Sequence, residues 1–357
     1  MRLGVAHYAV GTASTYGSEG NLMMSAQSNP GWNPGASWPT VKRVSVSEHR
    51  QVIGMIAQNV HADSLADPQA FARQSRLAAA LLPAAVRELL LDFLVDGDGG
   101  LLLSGLEVGA ISATPDSPVD ALTRRTEMAR QSAVLLSSIV HLVGYRPECR
   151  GELVQTLVPI RSHQRRQTST GSAVDLESHT EQCHNMVSRP DFIALGCLRG
   201  DPHAATYLLS ARELQRQLPA ETARLLRDPV FYTRVDGSFV DGGVPDEVRG
   251  PIPVLSGSWN DPVITYDEDL MSTDSPQHAA ALAEVKGVWA THRSQVVLSP
   301  GDLFIIDNSR AIHGRSSFAA RWDGTDRWLC RLQGLCNLAV SRFARLEGSP
   351  IIESEGC

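Results

Sequence analysis

Leu298-Ser-Pro-Gly-Asp-Leu-Phe-Ile-Ile-Asp-Asn308 reads as a tight turn followed by a short apolar strand, with His313 five residues beyond it. The same texture runs through the second half of the chain. From about Val154, brief β-rich runs alternate with turn clusters: Val154–Ile160, Phe192–Leu198, Val254-Leu255, Val263–Tyr266, Val296–Ser299, Leu303–Asp307 and Trp328–Leu338. Many short strands separated by Gly and Pro turns indicate a sandwich, barrel or jelly roll. One stretch inside this region, Ala204–Leu218, reads as helical.

Outward from this core the pattern changes period. Between Asp67 and Asp96, Leu77, Leu81, Leu82, Val86, Leu89, Leu90 and Leu94 recur at helical spacing, interrupted near Pro83. Gly100–Val108 is apolar and bounded by glycines, a strand candidate. Pro118–Val143 reads as a second long helix with its proline near the start. The expected organisation is α+β with a mainly β core: a helical part over 65–145 and a β core over about 150–340. Residues 1–40, rich in Gly, Ser, Asn and Pro, are expected to be a flexible tail before one domain at 41–357.

Composition narrows the function classes. The hydrophobic share is 43%, the charged share 20% and the net charge −7. A globular fold follows, and the acidic balance argues against nucleic-acid or membrane-surface partners. No apolar run reaches the ~20 residues of a membrane span, and no signal peptide is read at the N-terminus. Six cysteines without a CxxC pair fit free thiols and a cytoplasmic location. The sequence says nothing on oligomeric state.

His179-Thr-Glu181 is the first chemical signal. On a strand, residues i and i+2 share a face, so one imidazole and one carboxylate could reach one point. His313 supplies a second imidazole. Such a set fills one face of an octahedral Fe(II) and leaves three positions for a bidentate 2-oxo acid and O2. His184, five residues after His179, is out of phase and is expected to pack or to line the entrance. Arg327 and Arg331 add two permanent cations at an even spacing, suited to the far carboxylate of a dicarboxylic co-substrate and the carboxylate of an amino acid. A zinc hydrolase and a non-catalytic cupin-like binding protein are the competing classes, and a hydrolase has no use for Arg327.

Four segments together, Ser169-Thr-Gly-Ser172, Leu176–Glu181, Gly301–Arg315 and Arg321-Trp-Asp-Gly-Thr-Asp-Arg-Trp-Leu329, resemble the clavaminate synthase-like Fe(II)/2-oxoglutarate oxygenases. The likeness spans roughly Arg73–Leu338 and is greatest to free amino-acid β-hydroxylases, in particular the arginine hydroxylases of antibiotic pathways. The resemblance implies a double-stranded β-helix, or jelly roll, with flanking helices. It implies His179, Glu181 and His313 as iron ligands, and Arg327 assisted by Thr206 on the C5 carboxylate of 2-oxoglutarate. It implies Arg331 with Ser169 on the substrate α-carboxylate, and the free oxygen of Glu181 near the α-amino group. Asp236 and Ser238 would belong to a mobile lid, and Asp267 and Asp269 to an acidic pair for a cationic side chain. The implied reaction is hydroxylation of L-arginine at C3, with L-lysine, L-asparagine or another amino-acid-derived intermediate as alternatives. Arg146 and Glu148 stand where relatives often carry an amide, a departure that bears on substrate choice.

Overall fold

The computed structural model describes residues 39–119 and 122–353. The tail read over 1–40 therefore lies, apart from its last two residues, outside the described residues. In chain order the elements are β1 Val41–Ser45, α1 Arg50–Ala57, α2 Pro68–Ala79, α3 Ala84–Asp96, β2 Gly100–Ser104, α4 Glu127–Ser137, β3 His141–Tyr145 and β4 Gln155–Leu157. They continue with β5 Leu176–His179, β6 Phe192–Arg199, β7 Ala205–Ser210, α5 Ala211–Gln217, α6 Ala220–Leu225, β8 Phe231–Arg234, α7 Gly237–Asp241 and β9 Val248–Ile252. The rest are β10 Leu255–Gly257, β11 Pro262–Ile264, β12 Met271–Ser272, α8 Pro276–His292, β13 Ser294–Val297, β14 Leu303–Asp307, β15 Ala311–Arg315, β16 Trp328–Leu335 and β17 Ile351–Ile352.

Two sheets carry the core. The larger runs β1-β2-β14-β6-β16-β3-β17, with β4 also on β16; the smaller runs β13-β7-β15-β5. Side-chain alternation joins them. On β6, Phe192, Ala194 and Leu198 face the cluster shared with the helices, while Ile193, Leu195 and Cys197 face a cluster drawn from both sheets. β14 divides likewise, Leu303 and Ile305 one way and Phe304 and Ile306 the other. A run apolar at every position is what a strand buried on both faces requires.

Helices close the outer faces. α4 is buried along nearly its whole length and packs against α1, α2, β6 and β16. Thr126 caps it by accepting from the Ala129 N–H at 3.2 Å. Asp67 caps α2, whose first residue is Pro68. On the smaller sheet, Leu209 and Ile312 turn outward to meet Val285 and Trp289 of α8. Among the described residues no helix is long and apolar enough to cross a membrane.

Three local expectations need correction. Residues 118–143 are not one helix: α4 starts at Glu127, and His141–Tyr145 is strand β3, paired with β16. His141, Leu142 and Val143 find ladder partners there in Leu335, Gly334 and Gln333. Ala204–Leu218 splits into strand β7 and helix α5, which places Thr206 on a strand. β2 ends at Ser104, four residues before the expected Val108.

Candidate metal centre and substrate cavity

Period two on β15 sends Ala311 inward and Ile312 outward, so His313 and Arg315 point inward as well. β5 pairs antiparallel with β15, and His313 lies directly opposite His179. The two rings stand 4.4 Å apart between centroids. The strands can close this far because Gly314 has no side chain: a Cβ there would sit 2.6 Å from the Leu176 carbonyl oxygen.

Glu181 does not share a strand with His179, contrary to the i, i+2 argument. β5 ends at His179, Glu181 lies in the turn beyond, and Gln182 turns the chain with a left-handed φ of 54°. The carboxylate nevertheless reaches the imidazoles: Glu181 Oε1 is 3.5 Å from His313 Nε2. One ligand atom from each of His179, Glu181 and His313 lies within 4.8 Å of the other two.

The donor set fits a divalent metal. His179 Nδ1 lies 2.8 Å from the Glu177 carbonyl, which only accepts, so of the two neutral tautomers the one with its proton on Nδ1 is selected, and Nε2 is the nitrogen left to face a metal. Burial, with His179 beside it, lowers the His313 pKa and favours the neutral ring. Burial alone would raise the Glu181 carboxyl, but Arg331 and the two imidazoles hold it well below the usual carboxylate range. A neutral imidazole and an ionised carboxylate are the forms that bind metal.

Both downstream arginines are buried, at 6% and 5% exposure, which excludes surface positions on an edge strand. Arg331, on the inner face of β16, donates to Glu181 Oε1 at 3.0 Å and Oε2 at 3.2 Å, to Gln155 Oε1 at 2.7 Å, and to Glu148. Burial lowers its pKa, and Glu148 and Glu181 more than restore it. Glu148 is itself raised by burial, against the pull of Arg331. Arg327 is different. It forms no ion pair among the described residues, and burial brings its pKa down to about 10. Thr206, on β7 of the smaller sheet, lines the same cavity and presents a buried hydroxyl without a partner among the described residues. An unpaired buried guanidinium is costly unless an anion arrives to meet it.

His179, Glu181, His313, Thr206, Arg327 and Arg331 line one cavity of about 680 Å³ together with Ser169, Asp236, Ser238, Asp267 and Asp269. The expected acidic residues are all present, but two are partly committed. Asp236 Oδ1 accepts from the Ser238 N–H at 2.7 Å and hydroxyl at 2.6 Å, capping α7. Asp267 Oδ1 accepts from Asp269 N–H at 3.0 Å and Leu270 N–H at 2.8 Å, and burial raises its pKa to about 6, opposed by His179. Arg234 and Asp246 form an ion pair at the rim, and Arg166 meets Asp241 at 2.8 Å.

Of the two residues at the departure, Glu148 enters the cavity, while Arg146 turns away to bind Glu353 at 2.8 Å. His184 is buried and packs edge-on to Phe239, 4.9 Å between centroids. Sequence reasoning missed three residues. Gln155, on β4, orients Arg331. Arg315, two residues past His313 and hence on its face, donates to the carbonyls of Ser169 at 3.3 Å and Val174 at 3.2 Å. Asn308 holds the Glu181 backbone at 2.8 Å. The even spacing from His313 could have flagged Arg315; nothing local flags the other two.

Comparison with known proteins agrees with this geometry. The model of the taurine catabolism dioxygenase TauD, TfdA family matches residues 72–333. The chain is 40% identical to an L-lysine 3-hydroxylase of Catenulispora acidiphila, over 85% of this chain and 86% of the relative. It is 31% identical to clavaminate synthase 2 of Streptomyces clavuligerus, over 81% and 90%. An asparagine oxygenase solved with Fe(II), 2S,3S-3-hydroxyasparagine and succinate superposes with a TM-score of 0.82 at 29% identity, covering 87% of this chain and 99% of that one. The oxygenase OrfP, solved with Fe, succinate and (3S)-hydroxy-L-Arg, gives 0.77 at 28%, covering 87% and 99%. The chain belongs to the TauD/TfdA family and is an iron- and 2-oxoglutarate-dependent dioxygenase of the clavaminate synthase-like kind.

Proposed function

We propose that this dioxygenase hydroxylates a free basic L-amino acid at C3, L-lysine ahead of L-arginine. One observation carries the reading: a single cavity joins the His179–Glu181–His313 cluster, two buried arginines and an acidic wall. The 40% identity to an L-lysine 3-hydroxylase puts lysine first, a change from the arginine expected from sequence. The acidic wall suits either cation, and OrfP with its hydroxyarginine keeps arginine as the second reading. The two sheets are read here as a double-stranded β-helix within one oxygenase domain over 41–357, acting in the cytoplasm in specialised metabolism.

His179, Glu181 and His313 would hold the iron. Arg327 would take the C5 carboxylate of 2-oxoglutarate, and the buried Thr206 hydroxyl would donate beside it. Among the described residues the arginine forms no ion pair, so its buried guanidinium is left for the co-substrate. Arg331 between Glu148 and Glu181 forms a cation flanked by two anions, complementary to an amino-acid zwitterion. The α-carboxylate would meet Arg331 and Ser169, and the α-ammonium Glu181 and Glu148. Asp236, Ser238, Asp267 and Asp269 would receive the side-chain cation, since a buried ammonium needs carboxylates to offset its desolvation. Iron and 2-oxoglutarate, when bound, supply the oxidation: O2 is consumed, the 2-oxo acid becomes succinate and CO2, and one oxygen enters a C–H bond. The chain's share is to aim C3 at the metal and to exclude water under α7.

The test is a panel of proteinogenic amino acids assayed for succinate, with mass and fragmentation analysis of the products. Turnover with lysine giving 3-hydroxylysine is expected. Coupled turnover confined to neutral amino acids would refute the basic-substrate reading.

A further inference from the structure

We infer that Asn308 is a positioning residue that sets the place of the metal ligand Glu181. Asn308 stands in the turn between β14 and β15 and is fully buried. Its Oδ1 accepts from the Glu181 N–H at 2.8 Å, and its Nδ2 donates to the Glu181 carbonyl at 3.1 Å. The same Nδ2 donates to the Pro190 carbonyl at 2.8 Å, and the Asn308 N–H to the Asp191 carbonyl at 2.8 Å. Both main-chain polar groups of Glu181 are thus held by one side chain 127 residues away.

Glu181 needs such a hold because no strand ladder provides it. β5 has ended, and the next residue is left-handed. Only a primary amide offers one acceptor and two donors in a plane. Aspartate keeps the acceptor and loses the donors, and alanine loses all three. The turn itself is built by another residue: Asp307 Oδ1 accepts from Ser309 N–H at 2.9 Å, Ser309 hydroxyl at 2.6 Å and Arg310 N–H at 3.1 Å. The Asn308 amide is therefore spent on Glu181 and Pro190, not on its own loop. The same turn leads into β15 and His313, so one segment delivers one ligand and fixes the backbone of another.

The inference rests on the reading that His179, Glu181 and His313 hold the metal. Outer residues that orient ligands change metal affinity by roughly 10–100-fold when removed. The experiment titrates Co(II), as a spectroscopic stand-in for Fe(II), into the purified full chain and follows its visible d–d bands, with thermal melts alongside. Asn308→Asp and Asn308→Ala are expected to weaken Co(II) binding by about 10–100-fold. Ser309→Ala, which loosens the same turn without touching Glu181, is expected to lower the melting temperature and leave Co(II) affinity within about twofold of the parent. If Asn308→Ala does not fold, Asn308→Asp decides. Parent-like Co(II) affinity in Asn308→Asp would overturn the inference, as would an equal loss in Ser309→Ala. His179→Ala separates the two levels. If it loses Co(II) while the Asn308 variants keep it, the positioning role alone fails. If it keeps parent affinity, the metal reading itself fails.

Discussion

His179 and His313 face each other across the β5–β15 ladder, 134 residues apart in sequence and 4.4 Å apart between ring centroids. Cross-strand pairing therefore fixes two candidate ligands through backbone hydrogen bonds, and only the third, Glu181, depends on a turn. Deleting either imidazole leaves the ladder intact. His179→Ala and His313→Ala should each remove metal-dependent turnover while changing the melting temperature by only a few degrees. Retained 2-oxoglutarate-dependent succinate formation in either variant would remove that residue from the centre.

Arg327 is buried with no ion pair among the described residues, so it costs stability until an anion binds. Arg327→Met should raise the melting temperature of the substrate-free chain. The same variant should raise the KM for 2-oxoglutarate by about 30-fold or more, corresponding to about 2 kcal/mol for a lost charge-assisted contact. A variant that is less stable and binds 2-oxoglutarate normally would place the arginine in a structural role.

The acidic wall predicts a charge-selective loss. Asp236→Asn and Asp267→Asn keep the Oδ1 acceptors that cap their own turns but remove the charges. Each should lower kcat/KM for lysine at least tenfold, about 1.4 kcal/mol, and lower any activity on asparagine far less. Equal losses on both substrates would show that the carboxylates shape the loop and do not read the cation.

Glu152 offers a test away from the cavity. Its buried side chain, 5% exposed, lies 3.3 Å from Arg124. Burial raises its pKa to about 7 from 4.5, against the pull of Arg124. A raised acid stabilises the fold below its unfolded pKa, and that contribution is lost as pH climbs from about 4.5 through 7. Glu152→Gln does not titrate, so its stability relative to the parent should improve from pH 5 to pH 8, by up to about 3 kcal/mol. Paired melts across that range would show it; a gap moving the other way would contradict the assigned shift.

The β core was legible because its strands are short, apolar and separated by turn residues, and β14 and β6 are buried on both faces as their unbroken apolar runs imply. α8 was not read. Its buried stripe is His278, Ala281, Val285 and Trp289, while alanines and valines also cover its other faces, so polarity does not mark the inner side. The helical reading of 118–143 runs too far because local spacing does not reveal that β16 pairs with His141, Leu142 and Val143. The chemistry-bearing residues line one cavity, yet the i, i+2 reason for Glu181 does not hold. Its place comes from Asn308, a tertiary contact that no local period encodes. Gln155 was hidden in the same way, since only the folded β4–β16 pairing brings it to Arg331.

The most direct measurement is a single aerobic incubation of the full chain with Fe(II), 2-oxoglutarate and L-lysine, followed by quantification of succinate and mass analysis of the amino acid. One succinate per product, a gain of one oxygen atom located at C3, and loss of both in His313→Ala are the predicted results. Succinate formed no faster with L-lysine than without it, or product formation unaffected by His313→Ala, would contradict the central claim.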